Sequence, residues 1–376
     1  MKSRDTIISL LLLTALMTFS GCSLFEGVST AVGLTDRGTV IVRRAQIRSS
    51  YAVVAADLLE VKRGDKLVIT EEVEFEKVLW YHVRAEDDDQ TEGWIEAQNV
   101  ITETILDKSR KIAEEHVGRP PQAAGQLRAK SNLRLSPELN DENILYKLDS
   151  DSTFQIISWE FVPKVQDAAD VDDSSKGTQR KTKKSKDNEA EGDKDPNAAD
   201  KLDNKYDIWY RVQLDGSVSP APAGWLFGRQ VQLQIPTEIT FYETSERRFV
   251  AWYRLDETEA RVDPKLSPPG SYLILTRSSV SKAIDNIEPE FDGIMVLVFD
   301  KYDQNYYTAY RTSGEIWGRI PMTLDGEGDN KSFTLNLRNS VSGQMEKRQF
   351  FLFRDKNRIK IRLPEDFASF ETRRSR

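Results

Sequence analysis

A tryptophan-centred pattern written twice in one chain sets the strongest limit on how it folds. The first copy runs Gln46-Ile47-Arg48-Ser49, Gly64-Asp65, Leu79-Trp80-Tyr81-His82-Val83-Arg84 and Glu92-Gly93-Trp94-Ile95. The second runs Asn132-Leu133-Arg134-Leu135, Ser150-Asp151, Ile208-Trp209-Tyr210-Arg211-Val212-Gln213 and Ala223-Gly224-Trp225-Leu226. Arg48 to Asp65 and Arg134 to Asp151 are both 17 residues, while the paired tryptophans lie 14 apart in one copy and 16 in the other. Agreement in order and spacing marks an internal repeat whose period an insertion breaks. Short apolar runs at 39–42, 66–70, 79–83 and 94–95, parted by turn residues at 63–65 and 86–90, read as strands. The expectation is two small β units, at 37–105 and 126–235. Residues 103–117 carry Ile105, Ile112, Ala113 and Val117 among charges and stop at Gly118-Arg119-Pro120-Pro121. That spacing predicts a short helical connector within 106–125.

The insertion in the second copy, 164–205, has almost no large apolar residues. Its basic run Arg180-Lys181-Thr182-Lys183-Lys184-Ser185-Lys186 sits between acidic blocks. It is expected to be disordered, its charges cancelling in a solvated loop. The last region, 236–376, is strand-rich. Residues 294–299 form a continuous apolar run, and Phe333, Leu335 and Leu337 alternate with polar positions, as do Ile359, Ile361 and Leu363. Asp355-Lys356-Asn357 reads as a hairpin turn. Eight or nine antiparallel strands are expected there, with only 280–287 helical.

The N-terminus has a different texture. Lys2 and Arg4 precede an apolar run at 7–19, too short to span a bilayer and suited to a signal-peptide core. It ends in Phe19-Ser20-Gly21-Cys22, and Cys22 is the only cysteine of the 376 residues. This resembles the lipobox of bacterial lipoproteins, with Phe19 where leucine is usual. The resemblance implies a signal peptide over 1–21, lipidation at Cys22, a tether over 22–36 and a membrane-anchored chain in the cell envelope facing the periplasm. Ser23 after the cysteine favours the outer membrane. A net charge of −8 argues against nucleic acid as a partner.

The repeated elements themselves (apolar-Arg, a Gly-Asp-type turn, Trp-Tyr-x-Val, Gly-Trp-Ile/Leu) resemble the bacterial SH3-like domain. Asn132, Leu133, Arg134, Ser136 and Pro137 match that family's opening stretch, whereas the first copy has Gln46 and Ser49-Ser50-Tyr51-Ala52 there. The implied fold class is all-β: two SH3-like small barrels joined by a short helix, then an antiparallel β barrel or sandwich. Trp80, Val83, Trp94, Trp209, Val212 and Trp225 are expected as inward anchors, with a peptide-binding groove as the alternative use of the aromatics. Strand alternation then turns Tyr81 and Tyr210 outward as candidate ligand contacts. Arg48 and Arg134 either bind ligand carboxylates or fix a loop.

Chemistry narrows the function further. A Cys-His peptidase lacks a free cysteine, and His82 and His116 are the only histidines, too few for a typical zinc amidase and both outside the last region. Glu288, Glu290 and Asp292 are close in sequence but read as a surface acidic cluster, and Gly326-Glu327-Gly328 reads as a turn. No catalytic residue, metal or cofactor is expected. The function expected is a non-catalytic envelope lipoprotein whose modules bind cell-wall peptide or glycan (peptidoglycan) or an envelope protein. The alternative is a lipid or small-ligand carrier using the C-terminal domain.

Overall fold

The computed structural model describes residues 36–164, 201–256, 269–328, 330–356 and 358–372. Cys22, the signal segment and residues 165–200 of the insertion lie outside the described residues. The chain is all-β and divides into two compact units between Thr104 and Ile105.

The first unit holds β1 (Asp36–Val40), β2 (Arg44–Arg48), β3 (Asp57–Lys62), β4 (Lys66–Phe75), β5 (Val78–Ala85), β6 (Glu92–Glu96) and β7 (Val100–Thr102). They form one curled antiparallel sheet in the order β3-β2-β6-β5-β4-β1-β7. Val40, Ile47, Val83 and Ile95, all fully buried, lead its core. Gly93 answers a close approach: a Cβ there would lie 2.5 Å from the Arg48 carbonyl oxygen and 2.8 Å from the Ile47 side chain.

The helix α1 (Glu103–Glu114), all but its first two residues in the second unit, leads into β8 (Ala123–Leu127), β9 (Ser131–Arg134), β10 (Ile144–Leu148) and β11 (Thr153–Pro163). After the insertion come α2 (Leu202–Lys205), β12 (Tyr206–Gln213), β13 (Ala223–Phe227) and β14 (Val231–Leu233). The sheet order is β10-β9-β13-β12-β11-β8-β14, the order of the first unit with every strand number raised by seven. Register repeats too. Arg48 pairs with Trp94 as Arg134 pairs with Trp225, and His82 faces Trp94 as Arg211 faces Trp225. Gly224 repeats the role of Gly93, since a Cβ there would meet Leu133 at 2.7 Å. The turns match one residue off the sequence spacing: Gly64 N–H donates to Val40 as Asp151 N–H donates to Leu127, and both turn residues have positive φ. The helix α1 lies on this sheet, where the fully buried Ser109 hydroxyl donates to the Ala223 carbonyl (2.5 Å) and accepts from its N–H (3.1 Å).

The same unit continues with β15 (Arg247–Arg254), β16 (Tyr272–Ser278), β17 (Gly293–Asp300) and β18 (Asn305–Arg311), a four-stranded sheet in sequence order. A second four-stranded sheet follows, of β19 (Gly318–Glu327), β20 (Asn330–Arg338), β21 (Met345–Asp355) and β22 (Arg358–Arg362). Its inner face is filled by Phe333 and Phe350, stacked at 4.8 Å, with Leu335 and Leu337 beside them. Asp355 opposite Arg358 closes the β21–β22 hairpin where the turn was expected, Lys356 taking positive φ.

Two expectations are corrected. Residues 280–287 are not helical: Asp285 and Asn286 have positive φ and Ile284 bridges Ile287, a tight turn with exposed apolar flanks. The insertion's far edge is ordered earlier than 205. Leu202 is buried, its N–H donates to Ser279, and Lys201 bridges Val280.

Candidate functional site

The strand phase in the first unit decides which candidates can meet a ligand. Tyr81 packs against the core cluster that holds Val83 and Ala85, so it faces inward with Ile95 across from it. Trp94 therefore faces outward. It is half-buried, with Tyr51 edge-on at 5.0 Å and the His82 ring at 5.1 Å. Trp80 is buried but lies outside that cluster. Two expectations are corrected here: Trp94, expected inward, faces outward, and Tyr81, expected outward, faces inward.

The second copy shares this phase with different consequences. Trp225 is 3% exposed because the Arg211 guanidinium sits 4.6 Å over its ring, and Arg211 is held by Glu115 (3.2 Å) and His116 from the end of α1. Burial is the first cause that pulls the His116 imidazole below its usual range, with Arg211 and Arg119 adding to it.

Both candidate arginines are committed to their own loops. Arg48 donates to the Val53 (2.9 Å) and Ala55 (3.2 Å) carbonyls. Arg134, 7% exposed, donates to the Asn140 carbonyl and to Asn143 Oδ1 (2.9 Å), the loop-fixing role of the two expected. Tyr210 lines a cleft.

That cleft, about 590 Å³, opens within the second unit. One wall is the arm of β11 and β12, where Trp159 pairs with Tyr210 and Phe161 stands edge-on to Tyr206 at 6.3 Å. The other wall is β15, through Arg248, Phe249 and Val250. Five basic and three acidic side chains line it, against the chain's overall negative balance. Arg229 and Lys164 share Asp207, and Arg277 is committed elsewhere. Arg128 and Arg248 are exposed and have no ion-pair partner among the described residues. The Tyr210 ring is half-buried. Burial pushes its hydroxyl up to about 12, Asp203 adding to this and Arg248 opposing it. Elsewhere in the unit Gln122, fully buried, donates through its amide to Tyr253 (2.9 Å) and Met322 (3.2 Å) and accepts from Met322 N–H (2.8 Å). One side chain thus ties the second repeat to β15 and β19.

Glu288, Glu290 and Asp292 are not on the surface. They are 3%, 7% and 0% exposed, an arrangement the sequence hid because their partners are distant. Asp292 receives Arg247 (3.3 Å), Arg277 (3.3 Å) and the Ser278 N–H (3.0 Å). Lys282 Nζ lies 3.1 Å from Asp292 and 2.5 Å from Glu315, as ion pairs without hydrogen-bond alignment. Burial alone would raise the Asp292 carboxyl, yet Lys282, Ser278, Arg277 and Arg247 together hold it below the usual range. Glu288 pairs with Arg277 at 2.7 Å.

Glu290 goes the other way. Burial raises it from 4.5 to about 7, outweighing Arg319 at 3.4 Å and the Ile320 N–H. Its folded value exceeds its unfolded one, so its contribution to stability is full below about pH 4.5 and is lost as pH rises through about 7. Glu290→Gln, which cannot ionise, should flatten that part of the profile. In thermal melts from pH 5 to 8 the wild type should lose up to about 3 kcal/mol more than the variant. Parallel profiles would show that Glu290 stays ionised throughout.

Among the described residues no group of three or more His, Cys, Asp or Glu is placed to hold a metal, and no helix is long and apolar enough to cross a membrane. No protein-family model matches the chain, and no curated protein does. Among solved structures, NlpC2 from Trichomonas vaginalis is 10% identical over 85% of this chain and 93% of its own, with a TM-score of 0.16. NlpC1 from Trichomonas vaginalis is also 10% identical, over 94% and 97%, at 0.16. Scores this low establish neither a shared fold nor a shared activity.

Proposed function

We propose that this chain is a non-catalytic envelope lipoprotein, anchored through Cys22, that binds a cell-wall peptide or glycan or an envelope protein. The two repeats are read as SH3-like modules. The binding surface is the cleft between the second repeat and β15, and the observation that carries the reading is its composition. An aromatic wall (Phe161, Tyr206, Tyr210) stands beside two arginines without ion-pair partners among the described residues. Concave apolar walls with a few fixed polar groups are how binding sites are commonly built. The filled inner face of β19 to β22 supports a binder over a carrier with an internal cavity.

Arg248→Glu tests the reading, because Arg248 is exposed and its replacement disturbs no described ion pair. Retention on purified cell wall, and on envelope extract with cell wall as competitor, should fall by about ten-fold or more, as the loss of a charged contact of 1–3 kcal/mol implies. The thermal midpoint should not move. Unchanged retention on both materials would remove the cleft from the function.

A further inference from the structure

The outer face of the β21–β22 hairpin carries a pattern that neither the cleft nor the core uses. Register sets Phe351 opposite Arg362, Phe353 opposite Lys360 and Asp355 opposite Arg358, so these side chains share one face. Leu352, pointing the other way, is 4% exposed, whereas Phe351 is 44% exposed and Arg358, Lys360 and Arg362 are all exposed. Lys347, four residues before Phe351 and also exposed, extends the row. β22 is the last strand of its sheet, and Tyr307 of β18 accepts the Ile359 N–H along it (2.9 Å). The Arg362 guanidinium sits 5.4 Å over Phe353 and that of Arg358 5.4 Å over Tyr307. Such stacking fixes where the charges lie without neutralising them. Asp355 offsets only Lys360, at 2.5 Å.

This local positive field runs against a chain of net charge −8. Lysine on an edge strand is also a guard against strand-to-strand pairing. That accounts for the cations but leaves a half-exposed phenylalanine in their midst without a reason.

We infer that this face docks on an anionic phospholipid surface, the cations meeting headgroup phosphates and Phe351 entering the interfacial layer. The charge is complementary, and cations flanking an exposed aromatic suit the polar-to-apolar boundary of a bilayer. The inference rests on the envelope reading only in placing the chain beside a membrane.

The test uses the chain from Ser23 onward, which carries no acyl chain, sedimented with vesicles of phosphatidylcholine alone or mixed with phosphatidylglycerol. Binding to the anionic vesicles should exceed binding to the neutral ones by about ten-fold or more and should fall as salt rises. The triple variant Arg358→Gln, Lys360→Gln, Arg362→Gln should drop to the neutral-vesicle level, and Phe351→Ser should weaken binding without lowering the thermal midpoint. Equal binding to both vesicles, or a folded triple variant that sediments as the unaltered chain does, overturns the inference. So does capture by soluble dextran sulfate without capture by vesicles, which would make the partner an anionic polymer. Should the triple variant melt early, the lipid preference of the unaltered chain and the Phe351→Ser variant decide. A failure here leaves the Arg248→Glu result untouched, so the two readings fall separately.

Discussion

Replacing Asp292 by alanine is expected to lower folding stability by about 3–5 kcal/mol, the usual effect of removing one partner from a buried charge network. Asp292 is fully buried and is the carboxylate shared by Arg247, Arg277 and Lys282. Arg277, itself 3% exposed, keeps Glu288 and Lys282 keeps Glu315, but Arg247 loses its ion pair with Asp292 and the Ser278 N–H loses its acceptor. Taking the shared carboxylate away from buried cations, in a place water cannot fill in its stead, is what makes the loss large. The wild-type network also predicts an acid dependence. The folded carboxyl lies below the ordinary 3.8, so its contribution is present above that value and is lost as pH falls through the folded one. Denaturant unfolding of Asp292→Ala at neutral pH is the measurement. A loss under about 1 kcal/mol, the range of surface pairs, would mean the network is hydrated and weak.

Trp209→Ala should be comparably severe, about 3–5 kcal/mol, because it empties a large aromatic site. Trp209 is 2% exposed and packs on Phe227 at 5.0 Å. Trp94 supplies the contrast. It is half-buried on β6 of the first copy, and Trp94→Ala there should cost clearly less. Equal losses measured by denaturant unfolding would contradict the outward phase assigned to Trp94.

The repeat was legible because it rests on local residues: the glycine that lets β2 approach β6, the tryptophan after it and the spacing of the turns all recur. The shared strand order of the two copies follows from that. The strand phase was not legible. Trp94 and Ile95 are both large and apolar, so period-two alternation gives no preference, and a one-residue error turns every side chain to the opposite face. Tyr210 was singled out as an outward residue. It reaches the cleft instead because β11 and β12 run on past the small barrel and meet β15. The segment 280–287 misled for a related reason, since Val280, Ile284 and Ile287 recur at helical spacing although Asp285-Asn286 makes a turn. Glu288, Glu290 and Asp292 alternate as a strand edge does, but nothing local showed that Arg247, Arg277 and Arg319 would close over them. Gln122, which ties the second repeat to β15 and β19, carries no sequence signal at all; its partners lie about 130 and 200 residues away.

The central claim is that the cleft of the second unit is where this protein meets its partner. Amide hydrogen exchange, measured with and without soluble cell-wall fragments and again with detergent-solubilised envelope extract, tests that claim most directly. Protection should appear in 203–210, 228–233 and 247–250, the segments that line the cleft, with the strands of the first unit unchanged. Protection confined to the first unit, or to β19 to β22, would place recognition elsewhere and contradict the account.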